Sequence, residues 1–441
     1  MTISRRSFLG GATGAAIVGG GAWAALIRDG VETAAPSLAS TTTLTPSSTT
    51  TTAAVAAAAA NAGVAESLHD RVLVVLELAG GNDALNTLVP DLGRYHDARP
   101  LVGLGDAELI ALAGTDHRLH PALGGLASFW DAGTMSAIAG VAMPEQSRSH
   151  FQAMDSWRSG TAGPSQTGWL GRWLDLSLDE ERNGVDDPLR AIALGGGSPA
   201  LVGSRTMATA IRNPANFSLR TQRGTDADAL IDAFLATSAP LVDDPTLAAA
   251  QQAIPGTLDA VALLASARVD DATGLATPTQ GGTAQELLAT AANIIDMDIG
   301  TRILTVGVGG FDTHASQHAT HHDLLADIGA GLEAFFARLA ATGHLDRVMV
   351  ITTSEFGRRV TENGSGGTDH GNGGLQFVFG PTVAGGVVHG GYELNSLDQG
   401  DLPLVVDTRS VYRSALEWLG GDGAADGVFD DVSDALPLLS A

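Results

Sequence analysis

The feature that most constrains the fold is a series of short apolar segments, each followed by a polar segment. Five of them are residues 71–78, 135–141, 302–308, 347–353 and 375–379. Continuous runs of this length, rich in Val, Ile and Leu, are typical of strands buried in a parallel sheet. Helical spacing of Leu, Ile and Phe lies between two of them, at 324–339. This alternation predicts an α/β fold with a mostly parallel central sheet and helices on both faces.

The N-terminal part differs in composition from the rest of the chain. In residues 1–32, Arg5 and Arg6 precede a weakly apolar run, a pattern that predicts a twin-arginine export signal. Residues 33–67 are rich in Thr, Ser and Ala and are expected to form a disordered linker. Residues 68–441 are assigned to the folded domain. Within it, an Ala-rich helical insertion or cap is expected at about 183–296, with one strand near residues 191–194.

The expected partner of residues 1–32 is the twin-arginine export machinery. The protein is therefore expected to be periplasmic, cell-surface or secreted, with membrane contact only through the N-terminal segment. The net charge of −25 argues against nucleic acid as a partner, because nucleic acid is a polyanion.

Composition also restricts the chemistry. All 24 basic residues other than histidine are arginine, and there is no cysteine. The absence of lysine excludes a Schiff-base enzyme and a Walker-type phosphate loop. The absence of cysteine excludes thiolate catalysis, disulfides and zinc–cysteine sites. Catalysis or binding must therefore use Asp, Glu, His, Ser, Thr and Arg.

Polar residues follow four of the predicted strands. They are Asn82 and Asp83, Ser149 and His150, Asp312 and His314, and Glu355 and Arg358 with the later pair Asp369 and His370. The carboxyl ends of parallel strands meet at one edge of a sheet, where α/β proteins bind ligands. The sequence therefore predicts one polar site built from these residues.

Several of these residues also have structural interpretations. Asp83 can cap a helix or turn, and Ser149 can be the N-cap of the helix that begins after it. His321 and His322 are expected on the solvated start of a helix and are left out of the site. Asp369 and His370 lie in a glycine-rich segment with little packing purpose, which favours a role as metal ligands.

Asp and His side chains suit divalent ions such as Zn, Mn, Ca or Mg. Two such ions can clamp the attacking and leaving oxygens of a displacement at phosphorus or sulfur. Ser149 is then the expected nucleophile, His150 an expected participant, and Arg358 the expected ligand of a phosphate or sulfate group.

The same residues resemble a known family, the bacterial domain-of-unknown-function 1501 family. The resemblance runs from Arg71 to Gly420 and rests on the segments at 80–90, 120–121, 149–157, 311–317, 354–359, 363–371 and 407–412. It implies twin-arginine export and an alkaline-phosphatase-like or sulfatase-like α/β fold. It also implies an ordered metal-ligand set, which here is Asp83, Asp312, His314, Asp369, His370 and His389, with Ser149 as the nucleophile.

Two functions from different classes remain open. The first is a metal-dependent hydrolase that acts on phosphate or sulfate esters of a small molecule or a polymer. The second is a non-catalytic exported protein of envelope or polymer assembly that keeps the fold and a vestigial metal site. Two metal ions per chain in the exported protein would support the hydrolase, and none would exclude it.

Overall fold

The computed structural model describes residues 16–18, 68–90, 92–163, 165–182, 184, 186–212, 226–237, 251, 258, 263–264, 282–429 and 434–440. The predicted linker at 33–67 and most of the segment at 1–32 lie outside these residues. No helix among the described residues is long and apolar enough to cross a membrane.

The described strands are β1 Ala16–Val18, β2 Val72–Leu78, β3 Leu88–Val89, β4 Ile110–Ala111, β5 Arg118–Leu119, β6 Met135–Ala142, β7 Ala191–Leu194, β8 Ala208–Ile211, β9 Ile303–Val308, β10 Val348–Thr353, β11 Gly374–Phe379, β12 Val388–Gly390 and β13 Val406–Asp407. The main sheet has the order β1-β8-β7-β9-β2-β10-β11-β6-β12, and β13 also pairs with β6. Strands β3, β5 and β4 form a small antiparallel sheet.

The described α-helices are α1 Ala84–Thr87, α2 Leu92–Ala98, α3 Ala127–Asp131, α4 His150–Ser159, α5 Trp169–Arg182, α6 Ala227–Ala236, α7 Ala284–Asp296, α8 Gln317–Thr342 and α9 Thr408–Gly420. Short 3-10 helices lie at Leu68–Asp70, Pro121–Leu126, Pro199–Leu201 and Leu345–Arg347. The predicted helix at 324–339 is therefore the central part of α8, which starts earlier, at Gln317.

The central strand β2 shows why the sheet is covered on both faces. Val74 and Leu76 belong to a core that includes residues of α7 and α8. Leu73 and Val75, whose side chains point to the opposite face, belong to a second core with residues of α5 and α9. A strand buried on both faces has no polar alternation, which is why its sequence is a continuous apolar run. The predicted mostly parallel α/β sheet is confirmed.

Two features of the sheet differ from the simplest expectation. Strand β11 is antiparallel to both β10 and β6. The chain between β10 and β11 forms no helix, and without a crossover helix a strand returns in the antiparallel direction. Strands β7 and β8 lie inside the segment expected to be a helical insertion and extend the main sheet beside β9. The strand predicted near residues 191–194 is confirmed as β7. Strand β8 was not predicted.

The strand directions bring four connections to one edge of the sheet. Strands β2, β9 and β10 are mutually parallel, and β6 is antiparallel to the intervening β11, so that it shares their direction. The connections that follow β2, β6, β9 and β10 therefore leave the same edge, and β11 begins there. These connections carry the predicted polar residues.

Candidate metal centre

Three histidines from different connections have their Nδ1 atoms held by oxygen atoms. The Nδ1 atom of His150 lies 2.9 Å from Oε1 of Glu355, and that of His314 lies 3.0 Å from Oδ1 of Asp369. The Nδ1 atom of His370 lies 2.8 Å from the backbone carbonyl oxygen of Arg148. A carbonyl oxygen only accepts a hydrogen bond, so Nδ1 of His370 carries a proton. In neutral imidazoles with this arrangement, Nε2 keeps its lone pair.

The three Nε2 atoms converge on one carboxylate, that of Asp312. Nε2 of His370 lies 3.0 Å and that of His314 3.1 Å from Oδ1, and Nε2 of His150 lies 3.4 Å from Oδ2. Among the described residues, His150, Asp312 and His370 form a group whose ligand atoms all lie within 4.8 Å of one another. Nε2 of His314 lies 2.8 Å from Nε2 of His370. Lone pairs and a carboxylate at such distances repel one another unless a cation or proton lies between them.

This donor set fits a divalent metal ion. Histidine ligands of metals almost always donate their second ring nitrogen to a carboxylate, a backbone carbonyl or water. The three histidines here do so to Glu355, Asp369 and the carbonyl of Arg148. The arrangement thus supplies imidazole nitrogens and a carboxylate oxygen in the orientation that metal binding requires.

Asp312 is ionised at neutral pH. Its partial burial alone would raise its pKa, but the hydrogen bond from the Arg358 guanidinium and the charge of that group lower the pKa to about 2. The guanidinium Nη2 of Arg358 lies 2.8 Å from Oδ1 of Asp312. The carboxylate is therefore both charged and fixed in direction.

Arg358 itself is not available to a substrate. Its side chain is 0% exposed, and its guanidinium donates to the carbonyl oxygens of Gly80, Gly81, Phe311 and Thr368 as well as to Asp312. The prediction that Arg358 holds a phosphate or sulfate group is therefore not supported. Arg358 is a buried residue whose hydrogen bonds link the connections after β2, after β9 and before β11.

The connection after β9 and the glycine-rich connection before β11 lie against each other. The backbone N–H of Thr368 donates to the carbonyl of Thr313, and the side chain of Asn363 donates to the carbonyl of His314 and to Asp369. A Cβ atom added to Gly367 would lie 2.4 Å from the carbonyl oxygen of Thr313. Only glycine allows this approach, which brings Asp369 and His370 to His314.

Asp83 lies apart from this cluster, and its carboxylate is already bound. Nη1 of Arg99 lies 2.6 Å from Oδ2 of Asp83, and both side chains are 0% exposed. Burial alone would raise the pKa of Asp83, but the Arg99 guanidinium lowers it below its ordinary value. Asp83 also caps α1 by accepting from the N–H of Asn86. The structural interpretation of Asp83 is thus confirmed, and its predicted role as a metal ligand is not supported.

His389 also lies away from the cluster. It is on β12, opposite Ile138, which is four residues before the end of β6 at Ala142. At about 3.3 Å per residue, His389 is more than 10 Å from the edge that carries the metal ligands. The structure does not bring His389 to the other predicted ligands, because its strand ends elsewhere in the sheet.

Ser149 occupies the N-cap position of α4, directly before His150, and is exposed to solvent. Its side chain makes no capping hydrogen bond. The position expected of a helix cap is therefore confirmed, but the hydroxyl does not perform that function.

His321 corrects an expectation. It is buried, with 1% of its surface exposed, and its Nε2 lies 2.9 Å from Oδ1 of Asn82. Because α8 begins at Gln317, His321 is one turn further along the same face, which is turned toward the sheet. His322 is exposed, as expected.

Three further polar residues position the site, and the sequence predicted only one of them, Glu355, as part of it. Glu355 binds His150 and accepts from the N–H of Gly80, Gln317 contacts Asp83, and Arg99 pairs with Asp83. Glu355 had a visible signal, since it lies two residues after the end of β10. Arg99 had none, because its partner is known only from the fold.

Two partly exposed arginines lie at the rim of the cluster. The side chain of Arg148 is 40% exposed, that of Arg359 is 34% exposed, and both contact the buried carboxylate of Asp401. Arg148 also supplies the carbonyl that binds His370, and the N–H of Arg359 donates to the carbonyl of Asp369. Two partly exposed guanidinium groups thus share the Asp401 carboxylate, and Asp369 also lies close enough to Arg359 to interact with its charge.

Solved structures similar to this chain include three hydrolase-related proteins. A sulfatase from Pseudoalteromonas sp. is 12% identical, with 90% of this chain and 76% of that chain covered and a TM-score of 0.36. An alkaline phosphatase superfamily protein from Vibrio parahaemolyticus is 9% identical, with coverages of 85% and 76% and a TM-score of 0.35. A phosphonate monoester hydrolase from Silicibacter pomeroyi is 10% identical, with coverages of 79% and 73% and a TM-score of 0.30.

By sequence, no curated protein matches the chain significantly. A family model described as "Protein of unknown function (DUF1501)" matches residues 101–407, which is more than half of the chain and includes every ligand of the candidate metal centre. The chain therefore belongs to the DUF1501 family, as its motifs predicted.

Proposed function

We propose that the protein is a metal-dependent hydrolase of phosphate or sulfate esters, with one divalent ion held by His150, His314, His370 and Asp312. The observation that carries the proposal is the convergence of three Nε2 atoms on the Asp312 carboxylate, with each Nδ1 atom held by an oxygen. The sequence suggested two ions, but Asp83 and His389 are not near this cluster. One ion is the stoichiometry that the ligand set supports.

The ligand chemistry also narrows the choice of metal. Ca and Mg prefer sites made of oxygen ligands, whereas imidazole suits Zn and other transition metals. With three imidazoles and one carboxylate, we expect Zn or Mn rather than Ca or Mg. When bound, such an ion supplies Lewis acidity, which polarises a phosphoryl or sulfuryl oxygen and lowers the pKa of a nucleophile.

We assign to Arg148 and Arg359 the binding of a phosphate or sulfate group, which the sequence had predicted for Arg358. Both are partly exposed, both flank the metal ligands, and they share a single carboxylate, that of Asp401. Guanidinium groups bind phosphate or sulfate oxygens with paired hydrogen bonds.

The test of the proposal combines metal analysis with an activity assay. Purified protein should contain one equivalent of a transition metal, and after loading it should hydrolyse a nitrophenyl phosphate, phosphodiester or sulfate. A chelator should remove both metal and activity. If the protein binds metal but hydrolyses none of these esters, the result would favour the non-catalytic exported protein. If it binds no metal, the result would exclude both the catalytic and the vestigial metal site.

Ser149 is proposed as the nucleophile, and Ser149→Ala tests this. The substitution should lower kcat by orders of magnitude while metal content and melting temperature stay at the parental values, because the hydroxyl makes no capping hydrogen bond to lose. His150→Ala should instead lower metal affinity, because it removes a ligand. Kinetics and metal titration on the loaded variants separate the two outcomes. If Ser149→Ala keeps most of the parental activity, the nucleophile is a solvent-derived group.

Export through the twin-arginine route is also part of the proposal, and it rests on Arg5 and Arg6 before the weakly apolar run. Changing both arginines to lysine should leave folded precursor in the cytoplasm. Fractionation and immunoblotting of cells that express either form provide the measurement. Undiminished export of the double-lysine variant would contradict this route.

A further inference from the structure

The side chain of Gln317 links Asp83 to the two connections that carry the metal ligands. Gln317 is the first residue of α8 and is fully buried. Its Nε2 donates to Oδ2 of Asp83. Its Oε1 accepts from the hydroxyl of Thr313 at 3.2 Å and from that of Thr368 at 2.7 Å.

The carboxylate of Asp83 determines which way this amide faces. The oxygen and nitrogen of a glutamine amide are nearly equal in size, so packing alone does not orient it. An ionised carboxylate only accepts hydrogen bonds, and therefore the NH₂ group must face Asp83. The carbonyl oxygen then faces the two threonines and accepts from both. Arg99 keeps Asp83 ionised and fixed, since it forms a fully buried ion pair with it.

The two threonines lie directly beside metal ligands in sequence. Thr313 lies between Asp312 and His314, and Thr368 directly precedes Asp369 and His370. One oxygen atom that holds both hydroxyls therefore sets the spacing between the two ligand-bearing connections. Asp83 contacts none of the metal ligands, and it influences this spacing only by orienting the side-chain amide of Gln317.

We propose that Asp83 and Gln317 are positioning residues of the metal centre: they orient the Gln317 oxygen so that Thr313 and Thr368 hold Asp312, His314 and His370 at metal-binding distances. This inference rests on the proposed metal site. It gives the buried Asp83–Arg99 pair a purpose that neither ion ligation nor capping of a four-residue helix explains.

Gln317→Met tests the inference, because methionine has a similar length and no strong acceptor. Loss of partners that orient metal ligands typically lowers metal affinity about 10- to 100-fold. We expect a loss of this size for Zn²⁺, measured by competition with a chromophoric chelator. The absorption bands of the Co²⁺-loaded variant should also shift, because they report the arrangement of the ligands.

Thr87→Val is the matched control. Thr87 is equally buried and belongs to the same polar network, where it donates to Asn82 and to the backbone of Asp83, but it does not contact the ligand-bearing connections. This variant should lose some stability and keep the parental Zn²⁺ affinity and Co²⁺ spectrum. Thr368→Val should resemble Gln317→Met, and combining the two should cost little more than either alone, because they remove the same contact.

Asp83→Asn provides a second test from the other end of the contact. Oδ2 of Asp83 accepts from both Gln317 and Arg99, so an amide at this position must turn its oxygen or its NH₂ group toward two donors at once, and we expect weaker Zn²⁺ binding. If the parent binds Zn²⁺ and Gln317→Met binds it equally tightly with an unchanged Co²⁺ spectrum, the positioning role is wrong and the metal site stands. If the parent binds no metal, the proposed function fails first.

Discussion

Asp312→Asn is expected to abolish high-affinity metal binding and with it any hydrolytic activity. Asp312 is the one carboxylate on which the three histidine Nε2 atoms converge, at 3.0 Å to 3.4 Å. Asparagine has the same shape but no charge, so three imidazoles would have to hold the ion alone. Loss of an outer-shell partner already costs 10- to 100-fold in affinity, and loss of this ligand should cost more than about 100-fold. Zn²⁺ titration against a chelator provides the measurement.

Two further variants make the experiment specific. Asp369→Ala removes the oxygen that holds Nδ1 of His314 and should weaken Zn²⁺ binding less than Asp312→Asn does. Asp179→Asn breaks the exposed ion pair with Arg205, far from the cluster, and should change nothing in the titration. A parental Zn²⁺ affinity in Asp312→Asn would mean that the cluster is a hydrogen-bond network and not a metal centre.

Arg358→Met is expected to be the most destabilising single substitution among those considered. The buried guanidinium donates to four carbonyl oxygens and to Asp312. Each buried acceptor left without a donor costs about 1–3 kcal/mol, so the free energy of unfolding should fall by about 4 kcal/mol or more. Urea unfolding of chelator-treated protein is the measurement, because it reports the fold without any contribution from metal.

Arg358→Lys and Arg205→Met serve as the comparisons. Lysine keeps the charge, but its single ammonium does not reach acceptors spread around a planar guanidinium, so most of the destabilisation should remain. Arg205 is exposed and pairs only at the surface, and its variant should unfold at the parental midpoint. If Arg358→Met unfolds like the parent and loses only activity, the guanidinium serves the substrate, as the sequence alone had suggested.

The structure brings together several of the predicted site residues that lie shortly after strands. Asp312 and His314 after β9, and His150 at the start of α4, lie together because the strands before them are parallel. The histidine expected from family resemblance, His389, does not join them. Its strand, β12, pairs with the middle of β6, and nothing in the local sequence shows that register.

The role of each charged residue depended on its partner. Asp83 and Asp312 both follow apolar strands next to glycines, and the sequence predicted both as metal ligands, with capping as the alternative for Asp83. Arg99, sixteen residues after Asp83, forms a fully buried ion pair with it. Asp312 also pairs with an arginine, Arg358, but it is partly exposed and three histidines face it. Likewise, Arg358 and Arg359 are adjacent, but one is fully buried among carbonyl oxygens and the other is partly exposed at the rim.

The sequence by itself determined the α/β class, six strands of the central sheet, the family, and the set of connections that carries the site. It could do so because burial of a strand on both faces leaves a continuous apolar run, and glycine-rich polar segments mark where such strands end. Only the tertiary structure decided which carboxylates are free to bind a cation. Ionisation and ligation depend on the atoms within a few ångströms of each group, and those atoms come from residues such as Arg99, Glu355 and Gln317, which are distant in sequence from the groups they contact.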